Sequence, residues 1–327
     1  MSGSGPAPEV GAPRASAVPV PDRGEELARR LAEAGGDGVV AVLMYGSHLN
    51  KASPRADSAY DLVVVVDQYA PFHRALKERG EIHRPLFLFN WAARILPPSV
   101  IAFTPDDGRA GMAKCLVIRR DSFQEALGPQ PPDHFLMGRM IQKVGLPWVR
   151  SPEDEGWVQD CLERAHHGIL EWMAPYVEGD FDVASFGART LEVCYRGEIR
   201  PEAGNRSEII YGTQADYLGA MLAGVFRAGV ERGVLERVGS GRYRFARSAT
   251  AAEARSWRWH FRWSKLRATA RWFKHVLTFD NWLPYVTGKV ERRTGQRVEL
   301  TRLEKAVPII FLWPRVVQVL LSRPDEE

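Results

Sequence analysis

Residues 39–67 read VVAVLMYGSHLNKASPRADSAYDLVVVVD, and they decide the fold. Val39 to Met44 is an unbroken apolar run, the pattern of a strand covered on both faces. Tyr45-Gly46-Ser47 breaks it, a polar loop follows, and Leu62 to Val66 forms a second apolar run closed by Asp67. Two buried neighbouring strands are thus joined by a loop that opens with Gly-Ser and returns through Asp61.

Outward from this pair, Glu25 to Ala34 and Pro71 to Arg79 read as helices, and Val100 to Phe103 and Ala113 to Ile118 as further strands. Asp106-Asp107-Gly108 is a turn between those strands. The expectation is an α/β (α+β) fold with a mixed sheet in a 24–150 module. His134 to Val144 and Trp157 to Tyr176 read as helices beyond the sheet. In 151–250 two helices lead into GVLERVGSGRYRF, whose Gly239-Ser240-Gly241 turn suits a winged-helix hairpin or a helical cap ending in a hairpin. No basic recognition stripe precedes that hairpin, so nucleic acid is not an expected partner.

The chain has 327 residues, 45% of them hydrophobic, enough for a sizeable core. Its formal net charge of +4 conceals an asymmetry: Arg255 to Lys274 holds seven Lys or Arg residues and no carboxylate, interleaved with Trp257, Trp259, Phe261, Trp263, Trp272 and Phe273. Tryptophan favours the headgroup layer, and each cation near an anionic surface adds about 1 kcal/mol. Region 251–327 is therefore expected to meet an anionic membrane surface, unless its Trp face packs on the core. The apolar segment Ala306 to Leu321 is broken by Pro308, Pro314 and Arg315, so it would touch a bilayer without crossing it. Residues 1–23, rich in Pro, Ala, Gly and Ser, read as a disordered leader. Cys115, Cys161 and Cys194 form no C-x-x-C pair, consistent with a reduced, cytoplasmic protein.

The chemistry centres on Gly46, Ser47 and Asp61. Backbone N–H groups after a glycine, beside a serine hydroxyl, can cradle phosphate oxygens. A strand carboxylate nearby can hold Mg²⁺ against the same phosphates. An apolar strand, Gly-Ser, a 13-residue spacer and Asp on a second apolar strand resemble the nucleotidyltransferase superfamily. Most of its members carry two carboxylates two positions apart, facing the same way. Here the flanking positions are Ala59 and Val63. Either the chain is a catalytically dead relative, or it uses Asp61 with carboxylates from elsewhere, for which Asp67 and Asp121 are the candidates.

Tyr45-Gly46-Ser47, Ala59 to Asp67 and Phe72-His73 resemble the mitochondrial translocator assembly and maintenance family of phosphatidate cytidylyltransferases. Ala110-Gly111-Met112, Gly138 to Lys143 and Tyr195 to Arg200 follow in that family's order. The likeness covers roughly residues 40 to 220. Glu198 replaces the family's Asp, Phe72 its Trp, and Lys114 an aromatic residue. The resemblance implies that the lone Asp is a family trait. It also implies the reaction of CTP with phosphatidate to give CDP-diacylglycerol and pyrophosphate, with Mg²⁺ and a position peripheral to the inner face of a membrane. Ser47 and Asp61 would be catalytic. Tyr45, Gly46, Ser47, Lys114, Arg139, Lys143, Tyr195 and Arg200 would bind substrate, and Asp61, Asp67 and Asp121 would bind metal. Arg139 and Lys143, four apart, are expected on one helical face. The rival expectations are a nucleotidyltransferase with a soluble acceptor and a non-catalytic binding module.

Overall fold

The structure is a computed structural model and describes residues 14–50, 58–83, 85–105, 111–196 and 206–278. In the first half the order is α1 (Asp22–Gly35), β1 (Val39–Tyr45), α2 (Ser47–Asn50), β2 (Tyr60–Val66), α3 (Tyr69–Glu78), α4 (Leu86–Ile95), β3 (Ser99–Phe103) and β4 (Ala113–Arg119). Then come α5 (Arg120–Ala126), α6 (His134–Met140), β5 (Gly145–Val149), α7 (Pro152–Met173), α8 (Val183–Arg196), α9 (Arg206–Thr213), α10 (Ala215–Glu231), β6 (Leu235–Gly239), β7 (Arg242–Phe245) and α11 (Ala251–Thr278).

Five strands form one mixed sheet in the order β3-β4-β2-β1-β5, with β2 parallel to β4 and every other pair antiparallel. The apolar runs read from the sequence become its central strands because helices cover both faces. On one face Met44, Leu62, Val64 and Cys115 pack with Leu27 and Leu31 of α1, Phe72 of α3 and Phe89 of α4. On the other, Leu43, Val63, Val65 and Leu116 pack with α5, α6, α7 and α8. That second cluster continues without a break through Leu222 and Phe226 of α10 to Leu235 of β6. The division near residue 150 is therefore a change of architecture and not of core. Beyond it, Phe181 pairs with Tyr243 of β7 through two backbone hydrogen bonds of 2.9 and 2.8 Å, so a short third strand position joins the β6–β7 hairpin.

Several boundaries differ from the sequence reading. α6 ends at Met140, so the helix expected to run to Val144 stops short, and Lys143 lies outside it. β5 was not expected; it carries Pro147, which is tolerated there because the strand is at the sheet edge. α4 was also missed. Residues 14–21, read as part of a disordered leader, are folded: Ala15 and Val18 are buried, and the Ala15 amide donates to Gln159 Oε1 at 3.2 Å.

The aromatic, basic α11 packs against α4, the sheet-edge strand β3 and α6. Its anchor is Asp133, the N-cap of α6, which accepts from Arg271 at 2.6 Å, from Arg267 at 3.0 Å and from the Phe135 amide at 3.0 Å. The Arg271 guanidinium also donates to the Pro97 carbonyl at 2.8 Å, and Lys274 donates to those of Leu96 and Pro98. The Ser264 hydroxyl accepts from the His134 amide at 2.9 Å. Three of the seven expected membrane cations are therefore turned inward. The apolar segment Ala306 to Leu321 lies outside the described residues.

Candidate active site

Tyr45, Asp61 and Lys114 stand opposite one another on β1, β2 and β4. Opposed residues project to the same face of a sheet. This is the face that carries Val63, Val65 and Leu116 one pleat further on, so a polar row ends the apolar surface just where β1 gives way to the loop. All three residues are partly exposed, and so are Gly46, Ser47 and His48.

Gly46 turns the chain at φ +89°. A Cβ there would be strained by the backbone and would lie 2.7 Å from Asp61 Oδ2. Any side chain there would have to turn the Asp61 carboxylate aside. Ser47 opens the short α2, whose Leu49 amide donates to the Gly46 carbonyl at 3.1 Å. His48 holds the far side of the turn. Its ring stacks on Tyr60 at 3.9 Å between centroids, and its Nε2 is 2.9 Å from the Ser58 carbonyl. A lone histidine after the loop carries no pattern that predicts this contact; its stacking partner lies across the loop, 12 residues on.

Lys143 reaches the same end of the sheet. Its Nζ is 3.5 Å from the Leu49 carbonyl, and its backbone amide donates to Gln214 Oε1 at 2.9 Å. Gln214 also donates to Gln142 at 3.0 Å, and the Tyr195 hydroxyl donates to the same Gln142 Oε1 at 3.5 Å. Lys143, Tyr195, Gln142 and the buried Gln214 thus form a polar seam between sheet and helices, bordered by a shallow cleft along residues 212–217. Gln214 was not singled out in the sequence, because a glutamine between two helices carries no pattern of its own. Arg139 is turned elsewhere: its guanidinium covers the Phe135 ring at 3.9 Å and donates to the Phe135 carbonyl. Arg139 and Lys143 do not share a helical face, because α6 has ended between them.

Two expected metal ligands are not at this end. Asp67 follows the last residue of β2 and Asp121 lies just beyond β4, where Arg119 is opposite Val66. Six residues of strand separate Asp61 from Asp67, about 20 Å. Asp67 accepts from Arg150 at 2.6 Å, and Asp121 from Arg119 at 2.8 Å. Both act as ion-pair partners at the opposite end of these strands. Among the described residues no three His, Cys, Asp or Glu side chains converge as a metal cluster. Arg200 and Glu198 lie outside the described residues. No family model and no curated protein matches this chain.

Burial shifts three groups of the core. It raises the thiol of Cys115, one residue past Lys114, and the Asp61 charge adds to the effect. It lowers His73 and His166 to about 4. The cysteine is therefore a core residue and no nucleophile.

Proposed function

We propose that the chain is a nucleotidyltransferase-fold enzyme acting as a phosphatidate cytidylyltransferase. The observation that carries this reading is the approach of Gly46 to Asp61, with Ser47 at the start of the turn and Lys114 beside the carboxylate. A triphosphate lying over this turn would meet backbone N–H groups, a hydroxyl and an ammonium, which suits an anion. Asp61 is one carboxylate at an accessible position. Mg²⁺ commonly takes one or two carboxylates together with substrate phosphates and water, so Asp61 fits that role and Asp67 and Asp121 do not. When bound, the ion would neutralise charge on the phosphates.

The reaction asks little else of the protein. An oxygen of the phosphatidate phosphate would bond to the α-phosphorus of CTP, and the bond from that phosphorus to the bridging oxygen would break, releasing pyrophosphate. The attacking phosphate is already ionised near neutral pH, so no general base is needed, and positioning and charge neutralisation carry the rate. Lys143 and Tyr195, at the seam on the same side, would meet the second phosphate or the base. The order helix, bridging strand, helices and hairpin in residues 152–245 supports a winged-helix-like second unit.

A lipid acceptor is favoured by the outward face of α11. Trp259, Trp263 and Leu266 form an exposed stripe with Arg255, Arg258, Arg262 and Lys265 exposed around it. The test is pyrophosphate release from CTP with Mg²⁺ on vesicles with and without phosphatidate. Turnover that requires phosphatidate and disappears in Asp61→Ala supports the assignment; CTP left intact sinks it.

A further inference from the structure

α4 has two apolar faces. Phe89, Ala92 and Ala93 are buried against the core, while Phe87, Trp91 and Ile95, spaced four apart on the other side, are 69%, 61% and 49% exposed. Phe87, Trp91 and Ile95 make one stripe along the helix. Soluble surfaces seldom leave such a row of large side chains in water unless something covers it. Its surroundings say what. α4 carries Arg94 and no carboxylate, and the exposed charges of the adjoining α3 are Arg74 and Lys77 against Glu78. The helix is also packed against α11, whose own Trp-bearing stripe faces outward, and Lys274 of α11 donates to the Leu96 carbonyl at the end of α4.

We infer that α4 is a second lipid-contacting element, inserting Phe87, Trp91 and Ile95 into the interface of an anionic bilayer beside α11. A tryptophan and a phenylalanine in a basic setting match the chemistry of that layer. The inference shares with the proposed reaction a membrane as partner, but it does not need the reaction. Pinning the sheet module from two helices would also limit its rotation over the surface, which α11 alone would not.

The test is flotation of the full chain with phosphatidylcholine vesicles, with and without phosphatidylglycerol and lacking phosphatidate. The chains compared are wild type, a Phe87→Ser/Trp91→Ser variant and a Trp259→Ser/Trp263→Ser variant. The α4 variant is expected to weaken binding to the anionic vesicles by about tenfold or more, given the apolar area removed. Brominated acyl chains should quench wild-type fluorescence more than that of Trp91→Phe. Turnover on dispersed short-chain phosphatidate should be unchanged, because α4 touches none of the proposed site. Unaltered vesicle binding by the α4 variant overturns the inference. So does a change in sedimentation of that variant without lipid, which would make the stripe a contact between copies of this chain. If vesicle binding depends on α4 while wild type leaves CTP intact, the membrane element stands and the proposed reaction alone falls.

Discussion

At Gly46 a single hydrogen in place of a methyl group decides whether the loop can lie against Asp61. Gly46→Ala is expected to cost about 1–2 kcal/mol in urea unfolding, from the positive φ alone, and to remove activity as fully as Asp61→Ala because the carboxylate must move. Activity retained by Gly46→Ala would separate the loop from the chemistry. Other residues fix the pH response. His73 and His166 are held near 4 by burial, against an ordinary value near 6.5. Between these values the unfolded chain takes up protons that the folded chain refuses, so stability falls as pH drops from about 6.5 to 4. Asp133, held below its ordinary range chiefly by Arg271 against the effect of burial, adds a loss of the same sign at still lower pH. Thermal midpoints measured across this range should fall steadily on the acid side; a flat profile would contradict the burial of both imidazoles. The Gly46–Asp61 pairing was legible in the sequence, since both residues sit on strands joined by one loop. The distance of Asp67 and Asp121 from Asp61 follows from spacing along a strand: six residues carry a side chain to the other end of the sheet.

At the scale of elements, α11 shows why a pattern of Trp and cations is ambiguous. The same 28-residue helix buries Arg271 and Lys274 while exposing Trp259 and Trp263. Sequence composition sums both faces, and only packing against α4, β3 and α6 separates them. Asp133 holds the inward face, and removing it leaves Arg271 charged and buried. Asp133→Ala is expected to cost about 3–5 kcal/mol and to speed amide exchange along α11. A loss below about 1 kcal/mol would show that α11 is docked by its apolar contacts alone. α4 and β5 escaped the sequence reading for physical reasons. LFLFNWAARI is apolar nearly all round and has no single helical stripe, and GLPWV is a short edge strand interrupted by proline.

Over the whole molecule, the sheet supplies a polar row at the end of an otherwise apolar face, and the helices that cover this face bring a second polar group to the same end. The link is Gln214, which holds Lys143 and Gln142 and lies 72 residues from Gln142. Such a seam is invisible to any local pattern. Lys143→Ala is expected to raise the KM for CTP at least severalfold with a smaller change in kcat, since the side chain borders the site and lies off the row. An unchanged KM would remove Lys143 from substrate binding. The Gly46–Asp61 junction is proposed as a cytidylyltransferase site fed from a membrane. Pyrophosphate release from CTP on phosphatidate-containing vesicles, wild type beside Asp61→Ala, is the deciding measurement. Phosphatidate-dependent release that is lost in the variant is the expected result; no release from wild type, or equal release from both proteins, would contradict it.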